Sequence, residues 1–190
     1  KVSFHPLFSP DGKEIAFLEN RTAIRVVNLD SKEVRSVMDR KYQYSYQDGD
    51  QWYQWSPDGK WILSNCIFVG GWNNMDVALI DASGNGEMFN LTKSGYTDGN
   101  AKWVLDGKAM IWFSDRAGYR SHGSWGAEQD VYIMFFDLEA YEKFRMDEEE
   151  LALYEEEQKL KRDADKEKRG DKKEKKNKKK IQQKPQRADD

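Results

Sequence analysis

Phe8-Ser9-Pro10-Asp11-Gly12-Lys13, Trp55-Ser56-Pro57-Asp58-Gly59-Lys60 and Trp103-Val104-Leu105-Asp106-Gly107-Lys108 are three copies of one pattern, spaced 47 and 48 residues apart. In each copy an aromatic residue ends a strand and Asp-Gly completes a tight turn that needs a positive φ. Proline presets φ at the second turn position in the first two copies, where the third has Leu105. An apolar strand follows every copy: Glu14-Ile15-Ala16-Phe17-Leu18, Trp61-Ile62-Leu63-Ser64 and Ala109-Met110-Ile111-Trp112-Phe113. One Asp-Gly turn is weak evidence for a repeat. Three in register, each between an aromatic and a strand, decide the fold.

Working outward, further strands complete each unit. Ala23–Asn28 leads through Asp30-Ser31-Lys32 into Glu33–Val37, and Met75–Ile80 leads through Ala82–Gly86 into Glu87–Leu91. Two hairpins per unit of this length predict four short strands, the size of a propeller blade. A generic all-β sandwich would have to produce the same turns by coincidence. The expected fold is therefore all-β: a partial β-propeller of three four-stranded blades, with repeats near 4–50, 51–98 and 99–136. A propeller closes with about four to eight blades, so three leave two blade faces bare. Further blades of a longer protein are the expected cover, and a homo-oligomer is the other. The start on Lys1 rather than Met points the same way.

Composition divides the chain. All seven tryptophans lie between Trp52 and Trp125, and residues 1–136 carry 14 basic and 17 acidic groups. Residues 137–157 carry 2 basic and 10 acidic groups, and residues 158–190 carry 15 basic and 7 acidic. The overall charge of −3 thus conceals two opposed blocks. From Asp137 the pattern turns helical: Leu138, Tyr141, Phe144, Leu151 and Tyr154 recur at three-to-four-residue steps, which predicts a charged amphipathic helix over 137–168 that docks on the last blade. Residues 169–190 are Lys-rich, with Ile181 almost the only apolar residue, and read as a disordered tail or insertion. Asp171 and Glu174 interrupt the Lys172–Lys180 run and no aromatic is interleaved for base stacking, so a solvated insertion is expected rather than a nucleic-acid interface.

The repeat resembles the TolB-type, WD-repeat-like propeller blade over residues 4–136. Such blades occur in TolB, in prolyl-oligopeptidase-type enzymes and in tricorn-type proteases. Trp112-Phe113-Ser114-Asp115-Arg116-Ala117-Gly118-Tyr119 resembles the end of a tricorn-type blade. Gln129–Phe136 followed by Glu139-Ala140-Tyr141-Glu142-Lys143-Phe144 resembles the strand and helix start of bacterial tricorn-like serine peptidases, as does the Lys/Glu-rich segment behind it. The resemblance implies a non-catalytic propeller segment that gates peptide access to a catalytic domain outside this chain, with proteolysis the work of the parent protein and a PDZ module in it. A TolB-like protein-binding module without a protease, and the propeller of a prolyl-oligopeptidase-type enzyme, are the alternatives. The group also implies the cell envelope, with the cytoplasm as alternative.

Catalytic, cofactor and metal residues are all read as none. The two histidines, His5 and His122, stand far apart; Ser121 and Ser124 beside His122 read as ordinary loop chemistry; and no Gly-x-Ser-x-Gly elbow occurs. One cysteine, Cys66, with two distant histidines makes no ligand cluster and no intrachain disulfide. Turn geometry accounts for Asp11, Asp58 and Asp106 without calcium. No apolar run is long enough to span a membrane. Asn20-Arg21-Thr22 and Asn90-Leu91-Thr92 fit the glycosylation pattern, which is common by chance. Loop aromatics remain. Tyr44, Trp72, Tyr119 and Trp125, with Tyr42 and Tyr46 nearby, are the candidate peptide contacts, because rigid aromatics on propeller loops make good anchors. Packing between blades is the competing reading.

Overall fold

The computed structural model describes residues 2–48, 50–120 and 126–182, with side chains at all of these except 165 and 167–182. The chain divides into two compact units, Lys1–Ala140 and Tyr141–Asp190.

Three antiparallel sheets build the first unit. Blade 1 holds β1 (Ser3–Phe8), β2 (Glu14–Glu19), β3 (Ala23–Asn28) and β4 (Val34–Met38), paired in that order. Blade 2 repeats it with β5 (Tyr53–Trp55), β6 (Trp61–Cys66), β7 (Asp76–Asp81) and β8 (Met88–Asn90). Blade 3 has three strands among the described residues: β9 (Asp98–Val104), β10 (Ala109–Ser114) and β11 (Asp130–Phe135). Four had been expected. Where the fourth would begin, Asp137 accepts a hydrogen bond from the Ala140 amide (2.8 Å) and starts a helix instead.

The blades stack face to face. Ala16, Leu18, Ile24, Val26 and Met38 of blade 1 meet Tyr53, Trp55, Ile62, Cys66, Ala78 and Ile80 of blade 2 in one core cluster. Leu63 and Val77 on the opposite face of blade 2 meet Ala101, Met110 and Trp112 of blade 3 in a second. The consequence shows in β6, where every residue from Ile62 to Cys66 is buried, whereas β2 alternates. A strand covered on both faces loses the period-2 signal that a strand covered on one face keeps. Each large apolar side chain taken out of water contributes about 1.5–3 kcal/mol, so the stacked blades hold the unit together.

Aromatics of one blade also clasp the backbone of the blade before it. Trp55 Nε1 donates to the Leu7 carbonyl (3.2 Å), and the Tyr53 hydroxyl donates to the carbonyls of Ala16 (3.0 Å) and His5. Burial removes this phenol from water and pushes its pKa up. Trp55 is 6% exposed, while Phe8, the same motif position in blade 1, is 65% exposed.

The repeated turn forms in two copies. Ser9 Oγ donates to Asp11 Oδ1 (2.7 Å), the Lys13 amide donates to the same oxygen (3.1 Å), and Gly12 takes φ 71°. Ser56, Asp58, Lys60 and Gly59 repeat this at 2.6 Å, 3.1 Å and φ 71°. The serine hydroxyl, then the lysine amide, hold both carboxyls below their usual pKa, although burial opposes this in each. The third copy differs: Leu105–Gly107 is a 3₁₀ turn with no side-chain cap, and Leu105, Asp106 and Gly107 all have positive φ (51°, 53° and 84°). Val104 has no hydroxyl for Asp106 to accept from, and Leu105 lacks the ring that presets φ.

The helical segment is two helices rather than one, α1 (Leu138–Arg145) and α2 (Glu148–Gln182). The break at Met146-Asp147 is a capping box: the Glu150 amide donates to Asp147 Oδ1 (2.9 Å) and the Asp147 amide donates to Glu150 Oε2 (3.2 Å). Helix α2 continues past 168, through residues expected to be disordered, because Lys, Glu and Arg favour helix without needing a buried face. Residues 183–190 of that expected tail lie outside the described residues. No described helix is long and apolar enough to cross a membrane.

Candidate functional site

Strand register sorts the loops onto two ends. Met38 pairs with Ile24, Ser64 with Tyr53, and Ser114 with both Asp98 and Asp130. The β2–β3 and β6–β7 hairpins, the β10–β11 loop and the blade-to-blade connections 39–52 and 91–97 therefore share one end. The Ser-Pro-Asp-Gly turns occupy the other. Contacts between blades confirm the alignment: Gln43 Nε2 donates to Ser64 Oγ and the Asn65 carbonyl (both 2.8 Å), and Thr97 Oγ1 donates to the Asn73 carbonyl (2.6 Å).

Three of the four aromatics singled out from sequence are described, and all three stand on this loop end; Trp125 lies outside the described residues. Tyr44 belongs to the blade 1–2 connection, Trp72 to the β6–β7 hairpin and Tyr119 to the β10–β11 loop. Tyr46 joins two of them. Its ring is 4.9 Å from Tyr44 at 79° and 5.9 Å from Trp72 at 84°, giving two edge-to-face contacts in a row. The three rings keep 51%, 63% and 37% of their surface exposed for Tyr44, Tyr46 and Trp72 respectively. Tyr42, by contrast, packs against Phe68 and the blade 1–2 core.

Asp50 holds the loop that carries Tyr44 and Tyr46. Its carboxylate accepts from the Tyr46 amide (2.6 Å), the Gln47 amide (3.2 Å) and Ser45 Oγ (2.8 Å). Partial burial raises its pKa, but the bonds from Ser45, Gln47 and Tyr46 outweigh that and hold the group below its usual range. On the neighbouring loop Arg120 donates to the Asn73 carbonyl (3.0 Å) and Asn74 Oδ1 (2.8 Å), pairs with Asp115 (3.1 Å) and lies 5.5 Å from the Tyr96 ring centroid. It ties the loop bearing Tyr119 to the hairpin bearing Trp72.

Beneath the loops lies a buried polar layer that sequence reading missed. Asp98, fully buried, accepts from Trp112 Nε1 (3.0 Å), Arg116 Nη2 (2.8 Å) and the Ser94 hydroxyl. Burial alone would raise its pKa; bonds from Ser114, Ser94, Arg116 and Trp112 hold it below the ordinary value instead. The Arg116 guanidinium lies over Trp112 and Tyr132. Asp76 accepts from Asn90 Nδ2 (2.7 Å) and Thr92 Oγ1 (2.8 Å), so the Asn-Leu-Thr pattern at 90–92 has a structural use. The only signal was an Asp or Ser-Asp-Arg at strand ends, which reads equally as a turn. His5 stands in β1, whereas Ser121, His122 and Ser124 lie outside the described residues.

No family model matches the chain, and no curated protein matches it. Among solved structures, TolB from Acinetobacter baumannii overlays 71% of this chain on 30% of its own, at 25% identity and a TM-score of 0.50. The tricorn protease overlays 70% on 13% of its own, at 14% identity and a TM-score of 0.51. The chain folds as a partial β-propeller similar to those of TolB and the tricorn protease. It spans under a third of the TolB chain and about an eighth of the tricorn chain. An acylaminoacyl peptidase from Pyrococcus horikoshii overlays 71% on 23% of its own, at 22% identity and a TM-score of 0.45.

Proposed function

We propose that this segment is the non-catalytic, substrate-admitting part of a tricorn-like serine peptidase, and that its loop end holds extended peptide on the way to a catalytic domain elsewhere in the parent protein. The Tyr44–Tyr46–Trp72 corner carries the reading. Tyr46 stands nearly at right angles to Tyr44 and to Trp72, the loop of the two tyrosines is held by Asp50, and the three rings, left exposed, present apolar faces and edges at little cost in conformational entropy. Tyr119 extends the same end towards blade 3. The three Asp-Gly turns, with Phe8, Trp55 and Trp103 before them, belong to the scaffold. Bare blade faces call for further blades of the same protein. On this reading the repeats 4–50, 51–98 and 99–136 are blades, and 137–190 is an insertion between blades.

The second reading is a TolB-like protein-binding module with no protease attached. The 25% identity to TolB favours it. Reading the coding sequence on both sides of the segment separates the two. Further blades followed by PDZ and serine-peptidase domains are expected; a frame that closes after more blades without a hydrolase replaces the peptidase reading with the binding module.

A further inference from the structure

At the turn end, between blades 2 and 3, lies a cavity of about 310 Å³ whose lining includes none of the loop aromatics. Trp61, Leu79, Trp103 and Phe136 give it apolar walls, Asp58 and Asp106 give it carboxylates, and among the described residues no basic side chain lines it. The rings of Trp103 and Phe136 stand 5.5 Å apart at 47°. The two acids differ. Asp58 is engaged by Ser56 Oγ and the Lys60 amide, while Lys60 Nζ lies 3.8 Å away with both side chains more than half exposed. Asp106 has Val104 in place of that serine, and among the described residues its carboxylate accepts no hydrogen bond and makes no ion pair. The matching cavity between blades 1 and 2 has no aromatic wall, and its Glu14 is already held by Arg35. There Trp55 is pinned through Nε1 to the Leu7 carbonyl, whereas Trp103 Nε1 has no partner.

We propose that this cavity binds the side chain of an arginine presented by a peptide, its guanidinium against the rings and its N–H groups towards Asp106 and Asp58. Aromatic faces attract cations, and the flat, weakly hydrated guanidinium stacks on them better than an ammonium does. The chain builds this arrangement once for its own use. The Arg116 guanidinium lies 5.6 Å from the Trp112 ring centroid and 4.8 Å from that of Tyr132, while Nη2 donates to Asp98 (2.8 Å). The cavity holds the same parts, aromatic rings and a carboxylate, without an arginine among its lining residues. Two acids and no base repel an anionic ligand, and a neutral apolar one would leave Asp106 without a partner. The site stands at the opposite end from Tyr44, Tyr46 and Trp72, so it does not depend on what those rings hold. Because its carboxylates are near the surface, the contact weakens with salt.

An NMR titration of the full 190-residue chain, following the indole N–H signals of its seven tryptophans, tests it. The probes are N-acetyl-arginine amide and its citrulline counterpart, which keeps the shape and loses the charge. The arginine probe is expected to bind with a dissociation constant on the order of 1 mM and to move the signals of Trp61 and Trp103. The citrulline probe is expected to bind at least about tenfold more weakly. Asp106 is exposed and has φ 53°, a conformation Asn accepts, so Asp106→Asn keeps the fold. That variant is expected to bind the arginine probe about three- to fivefold more weakly, with a smaller dependence on salt. Equal binding of the two probes, or an Asp106→Asn chain that binds arginine as before, would overturn the proposal. So would a titration that moves no indole signal, or one that moves Trp72 alone and places the arginine at the loop end.

Discussion

Asp98 shows how much of this fold rests on single polar side chains. A fully buried carboxylate would be costly alone, yet here an arginine, an indole N–H and two serines satisfy it and tie the start of β9 to the end of β10. Replacing it with Asn leaves Arg116 without its charge partner, and Asp98→Asn is expected to cost about 2–4 kcal/mol of unfolding free energy at neutral pH. Its native pKa lies below the unfolded value, so this stabilisation is complete above about pH 4 and is lost as pH falls through the lower native value. The gap between wild type and variant in urea midpoint should therefore close on acidification below about pH 4. A constant gap would show that Asp98 acts through packing alone. Leu105 is the converse case, an apolar residue held at φ 51° in an exposed turn. Leu105→Gly is expected to stabilise the chain by about 0.5–1 kcal/mol, read as a higher urea midpoint, because Gly carries no Cβ penalty there.

Between elements, blade 2 comes close to blade 1 at Gly84, in the β7–β8 turn. Its φ is +76°, and an added Cβ would come within 2.5 Å of the Ser36 carbonyl oxygen of β4. Arg35 beside it donates to the Ala82 carbonyl (2.9 Å) and forks onto both oxygens of Glu14 (2.6 Å each). That fork is the first cause of the depressed Glu14 pKa. Gly84→Ala is expected to cost about 1–3 kcal/mol by thermal melting, and Gly95→Ala, with a similar φ but open space around it, less. The strands and turns of blades 1 and 2 were legible because Ser-Pro-Asp-Gly fixes a turn locally. The third turn and the helix start at Asp137 were not. Val104-Leu105 removes both local determinants, and Asp137 is as good a helix cap as a turn residue. The split at Asp147 was legible in principle as Asp-x-x-Glu, but a continuous charge pattern hides it.

Across the whole molecule, two blade faces stay open. Phe8 and Val34 are exposed on blade 1, as are Phe113, Val131 and Ile133 on blade 3. Phe113→Lys with Val131→Lys is expected to lower the binding of an apolar dye by the isolated chain; unchanged binding would mean that these faces are already covered. The loop end was legible as a set of exposed aromatics. Tyr46 was the residue underweighted, since nothing in the sequence says that one tyrosine touches both Tyr44 and Trp72. Arg120 and the Asp98 layer went unseen because Trp112 and Arg116, the partners of Asp98, and Asn73 and Asn74, the partners of Arg120, stand 14 to 47 residues away. The most direct test is the affinity of a fluorescently labelled unfolded polypeptide for the intact parent protein, compared with Tyr46→Ala/Trp72→Ala. A loss of at least about tenfold in the variant, with its melting temperature unchanged, is the expected result for two aromatic anchors. Equal affinity in the two proteins would contradict the reading of this end as the peptide-holding surface.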